Sequence, residues 1–109
     1  MYNNRISLTG NLTKNPEYKN ISDRDLVHFR IAVNENVGKE KEETIYMDVD
    51  GWGGHANYAK NVNLSKGDRV MIVGRLRQKN WEKDGIKRTD VTVVPRTFSK
   101  LVRPSKPNS

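Results

Sequence analysis

A chain of 109 residues, of which 34% are hydrophobic and 30% charged, has room for one domain with a small core. Its net charge of +7 favours a polyanionic partner, either nucleic acid or an anionic membrane surface. Cysteine is absent, which excludes disulfides, and no segment approaches the ~20 apolar residues of a membrane span. The N-terminus has no apolar signal region, so we expect a cytoplasmic protein without a membrane partner.

Three segments in the first half of the chain alternate apolar and polar residues, and each predicts a half-buried strand: 5–12, 27–34 and 44–52. Gly10 falls on the apolar face of the first strand, which indicates a bend or a neighbouring backbone. The segments between these strands are polar. We predict a turn over 18–25 and a charged, mobile loop over 36–43.

The second half of the chain predicts one helix followed by a hairpin. Apolar residues recur at helical spacing over 55–64, and this is the one helical candidate. Two β-branched runs over 69–94 flank a Lys83-Asp84-Gly85 turn, which is a strong hairpin signal. Pro95 is predicted to end the last strand, because proline cannot donate to a ladder.

One face of the hairpin becomes basic along its length. Arg75, Arg77, Lys79 and Trp81 share strand parity, and core packing does not explain that set of side chains. Contacts with single-stranded nucleic acid would explain it, because cations meet phosphates and an indole stacks on a base. The alternative is a solvated strand face, with the arginines keeping an edge soluble and Trp81 packed on its own neighbours.

The order of elements is three strands, one helix and two strands. We therefore predict an all-β protein, a five-stranded OB-fold barrel with a short helix between strands three and four and an extended hairpin of strands four and five. A helix-capped SH3-like barrel is the architectural alternative. The barrel domain is expected to cover 1–102, followed by a flexible basic tail over 103–109.

At this point the sequence resembles the bacterial single-stranded DNA-binding protein family. The resemblance runs from about residue 4 to residue 101, and no single motif carries it. The matching segments occur in order and at compatible spacing: 4–12, 15–17, 29–34, 44–53, 66–70 and 74–77, leading to Trp81.

The resemblance implies an OB-fold protein that binds single-stranded DNA without sequence preference, as a homotetramer or dimer, during replication, recombination or repair. It implies association with the nucleoid, no catalysis and no cofactor. Three aromatic residues fall at the family's stacking positions: Tyr46, Trp52 and Trp81. The candidate phosphate contacts are basic: Arg5, Arg30, Arg75, Arg77 and Lys79. In the alternative reading Trp52 covers the barrel mouth and Tyr46 is a half-buried cross-strand partner.

Several residues depart from the family pattern. Val37 stands where typical members carry a stacking tryptophan, so one platform is missing. Asp48 and Asp50 lie between the aromatic residues, where anions repel phosphate unless they turn away. The chain ends in a basic stretch and not in the acidic tip that recruits partner enzymes, so we expect either a truncated chain or a small member without that recruiting device.

Two further functions are considered. Asp48, Asp50 and His55 could ligate a divalent metal for phosphodiester cleavage, but no further carboxylate, phosphate loop or zinc spacing accompanies them. We therefore expect neither an enzyme nor a metal site. A primosome-associated or RNA-binding OB module is the second alternative. Such RNA readers use a denser cluster of aromatic residues than the 7% found in this chain.

Overall fold

Residues 3–102, the part of the chain that the computed structural model describes, form six strands and one helix. Their bounds are β1 (Ile6–Leu12), β2 (Glu17–Ile21), β3 (Arg24–Gly38), β4 (Lys41–Trp52), α1 (Gly54–Asn61), β5 (Arg69–Lys83) and β6 (Ile86–Leu101). The predicted basic tail, 103–109, lies outside the described residues. Within the described range, no helix is both long and apolar enough to span a bilayer.

Five of the strands close into a barrel. The sheet order is β1-β5-β6-β4-β3-β2, and β1 also pairs with β3 through Asn11 and Leu12. All neighbouring strands are antiparallel except β4 and β6, which pair in parallel at Asp48–Thr92 and Val49–Val93. The predicted OB barrel is confirmed, with the helix between its third and fourth strands and one additional strand, β2, on the outside of β3.

The core follows from strand alternation, because every second side chain of each barrel strand points inward. These residues are almost fully buried: Val27, Phe29, Ile31, Val49, Val70, Ile72 and Val93. Helix α1 buries Ala56 and Ala59 against the barrel, and Leu64 follows it into the core from beyond the helix end. The apolar stripe predicted for a helix over 55–64 is therefore correct, although the helix itself ends at Asn61.

Two glycines allow the close backbone contacts of the barrel. A Cβ at Gly10 would lie 2.6 Å from the carbonyl oxygen of Ala32, so the predicted neighbouring backbone at Gly10 is confirmed. A Cβ at Gly74 would clash with the carbonyl oxygen of Val94 and lie 2.9 Å from the Cα atom of Pro95. The register of β5 and β6 shifts next to Gly74, so this pair of strands is kinked there, within the barrel, since Thr92 and Val93 beyond the shift still pair with β4.

The turn predicted over 18–25 is wrong, since most of it is strand. Strand β2 pairs with the start of β3, and a tight turn at Ser22 and Asp23 joins them. All five residues of β2 are exposed, so the strand has no buried face and no apolar alternation to reveal it. Both turn residues have positive φ without a glycine, which removes the usual hairpin signal.

The loop predicted over 36–43 is also mostly strand, because β3 and β4 extend outward as a hairpin that turns at Lys39 and Glu40. Every side chain from Asn34 to Tyr46 is exposed, so no periodicity marks the strands there.

Pro95 does not end the last strand, and β6 continues to Leu101. Proline is tolerated in a sheet at a bulge, and Pro95 pairs with Gly74 at the register shift. The residue that follows, Arg96, has no partner in β5 because Val73 already pairs with Thr97. The hairpin turn is as predicted, with positive φ at Asp84 and Gly85.

We expect Gly74→Ala to destabilise the protein by about 2 kcal/mol or more, because the new methyl group meets backbone atoms that cannot swing aside. Urea unfolding measures the loss. Gly54→Ala is the matched control, since its Cβ enters open space at the start of α1, and we expect a change within about 1 kcal/mol. Equal effects of the two substitutions would show that Gly74 is not a packing constraint.

Candidate nucleic-acid interface

Strand β4 supplies one part of the candidate interface. Its outward side chains are those of Tyr46, Asp48, Asp50 and Trp52, while Val49 between them is buried in the barrel. Tyr46 is 54% exposed and Trp52 is half-buried. The two aromatic residues therefore share one face, as their spacing predicts.

Strand β5 supplies the second part, which runs from the barrel at Arg75 and Arg77 into the arm that extends beyond it at Lys79 and Trp81. Arg75, Arg77, Lys79 and Trp81 alternate along one face of this strand. Opposite them on β6 stand Val94, Thr92, Asp90 and Arg88 in register. Trp81 is 42% exposed near the tip, and its indole N–H donates to Asp90 Oδ2 at 2.8 Å.

Two adjoining depressions bring five arginines together. One, of about 370 Å³, lies between β1 and the β5–β6 pair, and the other, of about 380 Å³, lies between that pair and the start of β3. They share Arg75, Val94 and Pro95, so they form one continuous depression that also contains Trp52 and His55. We call it the arginine groove and define it by its cations: Arg5, Arg24, Arg75, Arg77 and Arg96.

The guanidinium groups of the arginine groove are open to a ligand. Within residues 3–102, none of the five forms an ion pair with a carboxylate. All five residues are exposed. Multiple uncompensated cations in one depression repel each other and favour a polyanion.

Lys79 has a different environment, because it binds a buried carboxylate. Asp50 is only 2% exposed; its Oδ2 accepts a hydrogen bond from Lys79 Nζ and its Oδ1 one from His28 Nδ1, both at 2.6 Å. Burial alone raises the pKa of Asp50, but the hydrogen bonds and charges of Lys79 and His28 outweigh it and lower the pKa below its usual value. Asp50 is therefore ionised and holds Lys79.

Arg30 is also close to a carboxylate. Its Nη1 lies 3.4 Å from Asp48 Oδ1, and the two residues face each other across β3 and β4. Both side chains are partly exposed, so this ion pair is weak and open to exchange with another anion. The two aspartates flagged in the sequence thus lie on the outer side of the barrel wall, Asp48 partly exposed and Asp50 buried against His28 and Lys79, and they neutralise part of the basic face.

Each of the three predicted stacking residues has a guanidinium group on its ring. The Arg30 Cζ lies 5.4 Å from the Tyr46 ring centre, the Arg24 Cζ 4.7 Å from Trp52, and the Arg88 Cζ 5.8 Å from Trp81. These are cation–π distances, which stabilise the pairs in the free protein. The ring faces are thus apolar platforms with a cation already positioned beside each of them.

The sequence profile of the Single-strand binding protein family matches residues 3–101. The chain belongs to this family.

Relatives in the family support the match over most of the chain. A single-stranded DNA-binding protein of Deinococcus radiodurans is 38% identical over 106 residues, which are 92% of this chain and 35% of that protein. One of Aquifex aeolicus is 32% identical over 107 residues, covering 93% of this chain and 71% of the relative. The chain thus spans about a third of the length of the Deinococcus relative, and 30% of one from Thermus aquaticus.

A solved structure supports the fold. The small single-stranded DNA-binding protein from Streptomyces coelicolor superposes with a TM-score of 0.75 at 24% sequence identity, over 94% of this chain and 97% of that one. The barrel with an inserted helix is therefore shared.

The structure sorts the predicted interface residues into three groups. Arg5, Arg75 and Arg77 lie together in the arginine groove. The barrel face of β3 and β4 carries Arg30, Tyr46 and Trp52. The arm carries Lys79 and Trp81, with Lys79 bound to Asp50. Their contacts with DNA remain predictions.

Sequence reasoning missed three basic residues of the interface: Arg24, Arg88 and Arg96. Arg24 was part of the segment predicted as a turn, and Arg96 follows the proline that was predicted to end the last strand. Register along the predicted hairpin would have placed Arg88 opposite Trp81.

The three residues considered as metal ligands from the sequence, Asp48, Asp50 and His55, do not form a metal site. Asp50 binds His28 and Lys79, and the His55 ring packs against Phe98 with ring centres 5.6 Å apart. Among residues 3–102, no group of three or more His, Cys, Asp or Glu side chains is arranged to hold a metal ion.

Asp50→Asn keeps the shape of the side chain and removes the charge that holds Lys79. Because the folded pKa of Asp50 lies below its unfolded value, the carboxylate stabilises the fold above the unfolded pKa, and this contribution is lost as pH falls through the folded pKa. We expect a loss of about 2 kcal/mol at pH 7, which shrinks below about pH 4. Urea unfolding at several pH values measures it.

The matched control is Asp48→Asn, whose carboxylate is 32% exposed and 3.4 Å from Arg30. This substitution is expected to cost under about 1 kcal/mol at pH 7. If Asp50→Asn cost the same at pH 3 as at pH 7, its effect would come from altered packing and not from charge.

Proposed function

We propose that this chain binds single-stranded DNA without sequence preference and protects it during replication, recombination or repair. It acts by binding, without catalysis. The observation that carries the proposal is the arginine groove. Its cations have no carboxylate partner within residues 3–102, and the groove also contains Trp52 at the end of β4. Family membership and the names of the relatives support the same function.

The chemistry of the face explains why the sequence of the DNA would not matter. Phosphates and π-faces occur in every nucleotide, and these are what arginines and aromatic rings bind. Tyr46, Trp52 and Trp81 offer ring faces, and the five arginines offer charge. Lys79 and Arg30 contribute less charge to the DNA in this proposal, because each must first leave a carboxylate.

We also propose that the chain forms a homo-oligomer, a tetramer or a dimer. Strand β1 pairs with β5 from Ile6 to Asn11 but with β3 only at Asn11 and Leu12. The other edge of β1 before Gly10 therefore has no partner strand in residues 3–102, and an open edge is a template for pairing with a second copy. Light scattering gives the mass in solution, and a monomer at micromolar concentration would refute this proposal.

Arg77→Ala tests the phosphate contacts. Binding of single strands releases counterions, so log K falls with log salt at a slope of about −0.7 per phosphate neutralised. We expect the variant to flatten the slope by about 0.7 and to weaken poly(dT) and mixed sequences alike. Fluorescence titration over a series of salt concentrations measures both.

Two substitutions serve as comparisons for Arg77→Ala. Arg69→Ala removes an exposed arginine of the same strand about 26 Å away, outside the arginine groove, and should leave the slope unchanged. Lys79→Ala should change the slope less than Arg77→Ala, because Asp50 already neutralises this lysine. An unchanged slope for Arg77→Ala would mean that this arginine is only a solvated charge.

Trp81→Ala tests base stacking. Stacking contributes about 1–3 kcal/mol per base and quenches indole emission. We expect oligo(dT) to quench the wild-type protein, and the variant to lose a large part of the signal and bind about tenfold more weakly. Since the exposed Trp81 contacts Arg88 and Asp90 and not the core, the melting temperature should barely change.

Trp52→Ala is the companion variant. It should also weaken binding, but with a larger stability loss, because Trp52 is half-buried beside the barrel. Trp81→Phe should keep most of the affinity, since it retains a ring while it removes the hydrogen bond to Asp90. If Trp81→Ala destabilised the fold and left DNA affinity intact, the stacking role would be excluded.

A further inference from the structure

An aromatic residue outside the interface described above carries the same kind of cation on its ring. Tyr18 lies on the outer strand β2, and the Lys60 Nζ of helix α1 is 5.2 Å from its ring centre. The tyrosine is 38% exposed. It lines a depression of about 340 Å³ together with Asn15, Pro16, Lys60 and Asn63. We call this depression the Tyr18 groove.

The contact of Lys60 with the Tyr18 ring resembles the cation–π contacts at the three candidate stacking residues. In residues 3–102 four aromatic rings lie under a cation, and three of them are Tyr46, Trp52 and Trp81. The fourth is Tyr18. The structure therefore places at Tyr18 the same two elements that we propose bind a nucleotide at those residues: an accessible π-face and a cation beside it.

We propose that the Tyr18 groove is a further contact for single-stranded DNA, which continues the bound strand beyond Trp52. The proposal rests on the proposed function and extends its site. One base stacks on Tyr18, displacing the Lys60 ammonium from the ring, and the ammonium pairs with the adjoining phosphate.

The pairing of β2 brings Tyr18 close to Trp52 along the sheet. Tyr18 pairs with Val27, and Val27 pairs with Gly51, the residue before Trp52. Tyr18 is thus two strand spacings, about 10 Å, from the backbone of β4. Its side chain and that of Trp52 lie on opposite faces of the sheet, so DNA must pass over β2, an edge strand whose five residues are all exposed.

The charge of the Tyr18 groove suits a polyanion. None of its described lining residues is acidic, whereas Asp48, Asp50 and Asp90 lie among the candidate interface residues of β4 and the arm. The exposed Lys66 is held beside the groove, because its backbone N–H donates to Asn15 Oδ1 at 2.8 Å. Burial raises the pKa of Tyr18, so its phenol is neutral at physiological pH and does not repel phosphate.

A purely structural role for this pair gives different consequences. In that case the Lys60 stem covers Tyr18 and fixes β2 on the helix, and removing the ring changes only stability. Oligonucleotides of different length distinguish the two roles. A short one occupies the arginine groove and the outer face of β4, and only a longer one also reaches β2.

The experiment compares oligo(dT) of about 6 and about 16 nucleotides, near the limits of the site sizes known for one OB fold. We expect Tyr18→Ser to weaken binding of the longer strand about fivefold or more and to leave the shorter one unchanged. Tyr18→Phe should restore the longer strand's affinity, because it keeps the ring. Lys60→Gln should flatten the salt slope for the longer strand only. Urea unfolding of each variant checks that the fold is intact.

The outcomes separate this inference from the proposed function. If wild type binds both oligonucleotides and Tyr18→Ser weakens neither, or weakens both equally, the Tyr18 groove is not part of the path. A loss of stability without a selective loss of long-strand affinity has the same meaning. If wild type binds neither oligonucleotide, the proposed function itself fails.

Discussion

The kink of the β5–β6 pair at Gly74 is the constraint on which the interface depends. On one side of it the strands bury Val70, Ile72 and Phe98. On the other side β6 still buries Thr92 and Val93, which pair with β4, before the two strands extend as an exposed arm. The kink requires a residue without a side chain, because the carbonyl of Val94 and the Cα atom of Pro95 occupy the space. It leaves Arg96 unpaired in the ladder and places Arg75 between the two halves of the arginine groove. The same backbone feature therefore closes the core and assembles the cations.

The charge of the chain is divided between free and compensated cations. Among residues 3–102 the cations of the arginine groove have no carboxylate partner, while Lys79 and Arg30 are held by carboxylates. Asp50 is the stronger of these partners, because it is buried and accepts two hydrogen bonds at 2.6 Å. Burial of a charge is unfavourable unless it is fully paired, so Asp50 fixes the positions of His28 and Lys79 as well as neutralising Lys79. The count of 20 lysines and arginines therefore overstates the number of cations available to a polyanion.

A DNA base can replace the arginine that lies over each candidate stacking ring. An exposed cation–π contact is worth about 0.5–1 kcal/mol, whereas a stacked base contributes about 1–3 kcal/mol. Replacing the guanidinium by a base is thus favourable, and the displaced cation stays within reach of the same nucleotide's phosphate. Until then the cation covers apolar surface that would otherwise face water, as at Trp52 beneath Arg24.

The sequence by itself determined the barrel, the helix position, the hairpin with its Asp84-Gly85 turn and the close contact at Gly10, because burial imposes alternation and tight geometry demands particular residues. It also placed Tyr46 and Trp52 on one face of β4. It did not reveal β2 or the β3–β4 arm, since strands exposed on both faces carry no periodic signal. Only the tertiary structure decided which cations are free, because charge neutralisation depends on neighbours from other strands. Lys79 and Arg77 look alike in the sequence, and they differ because β4 brings Asp50 to one of them and not to the other.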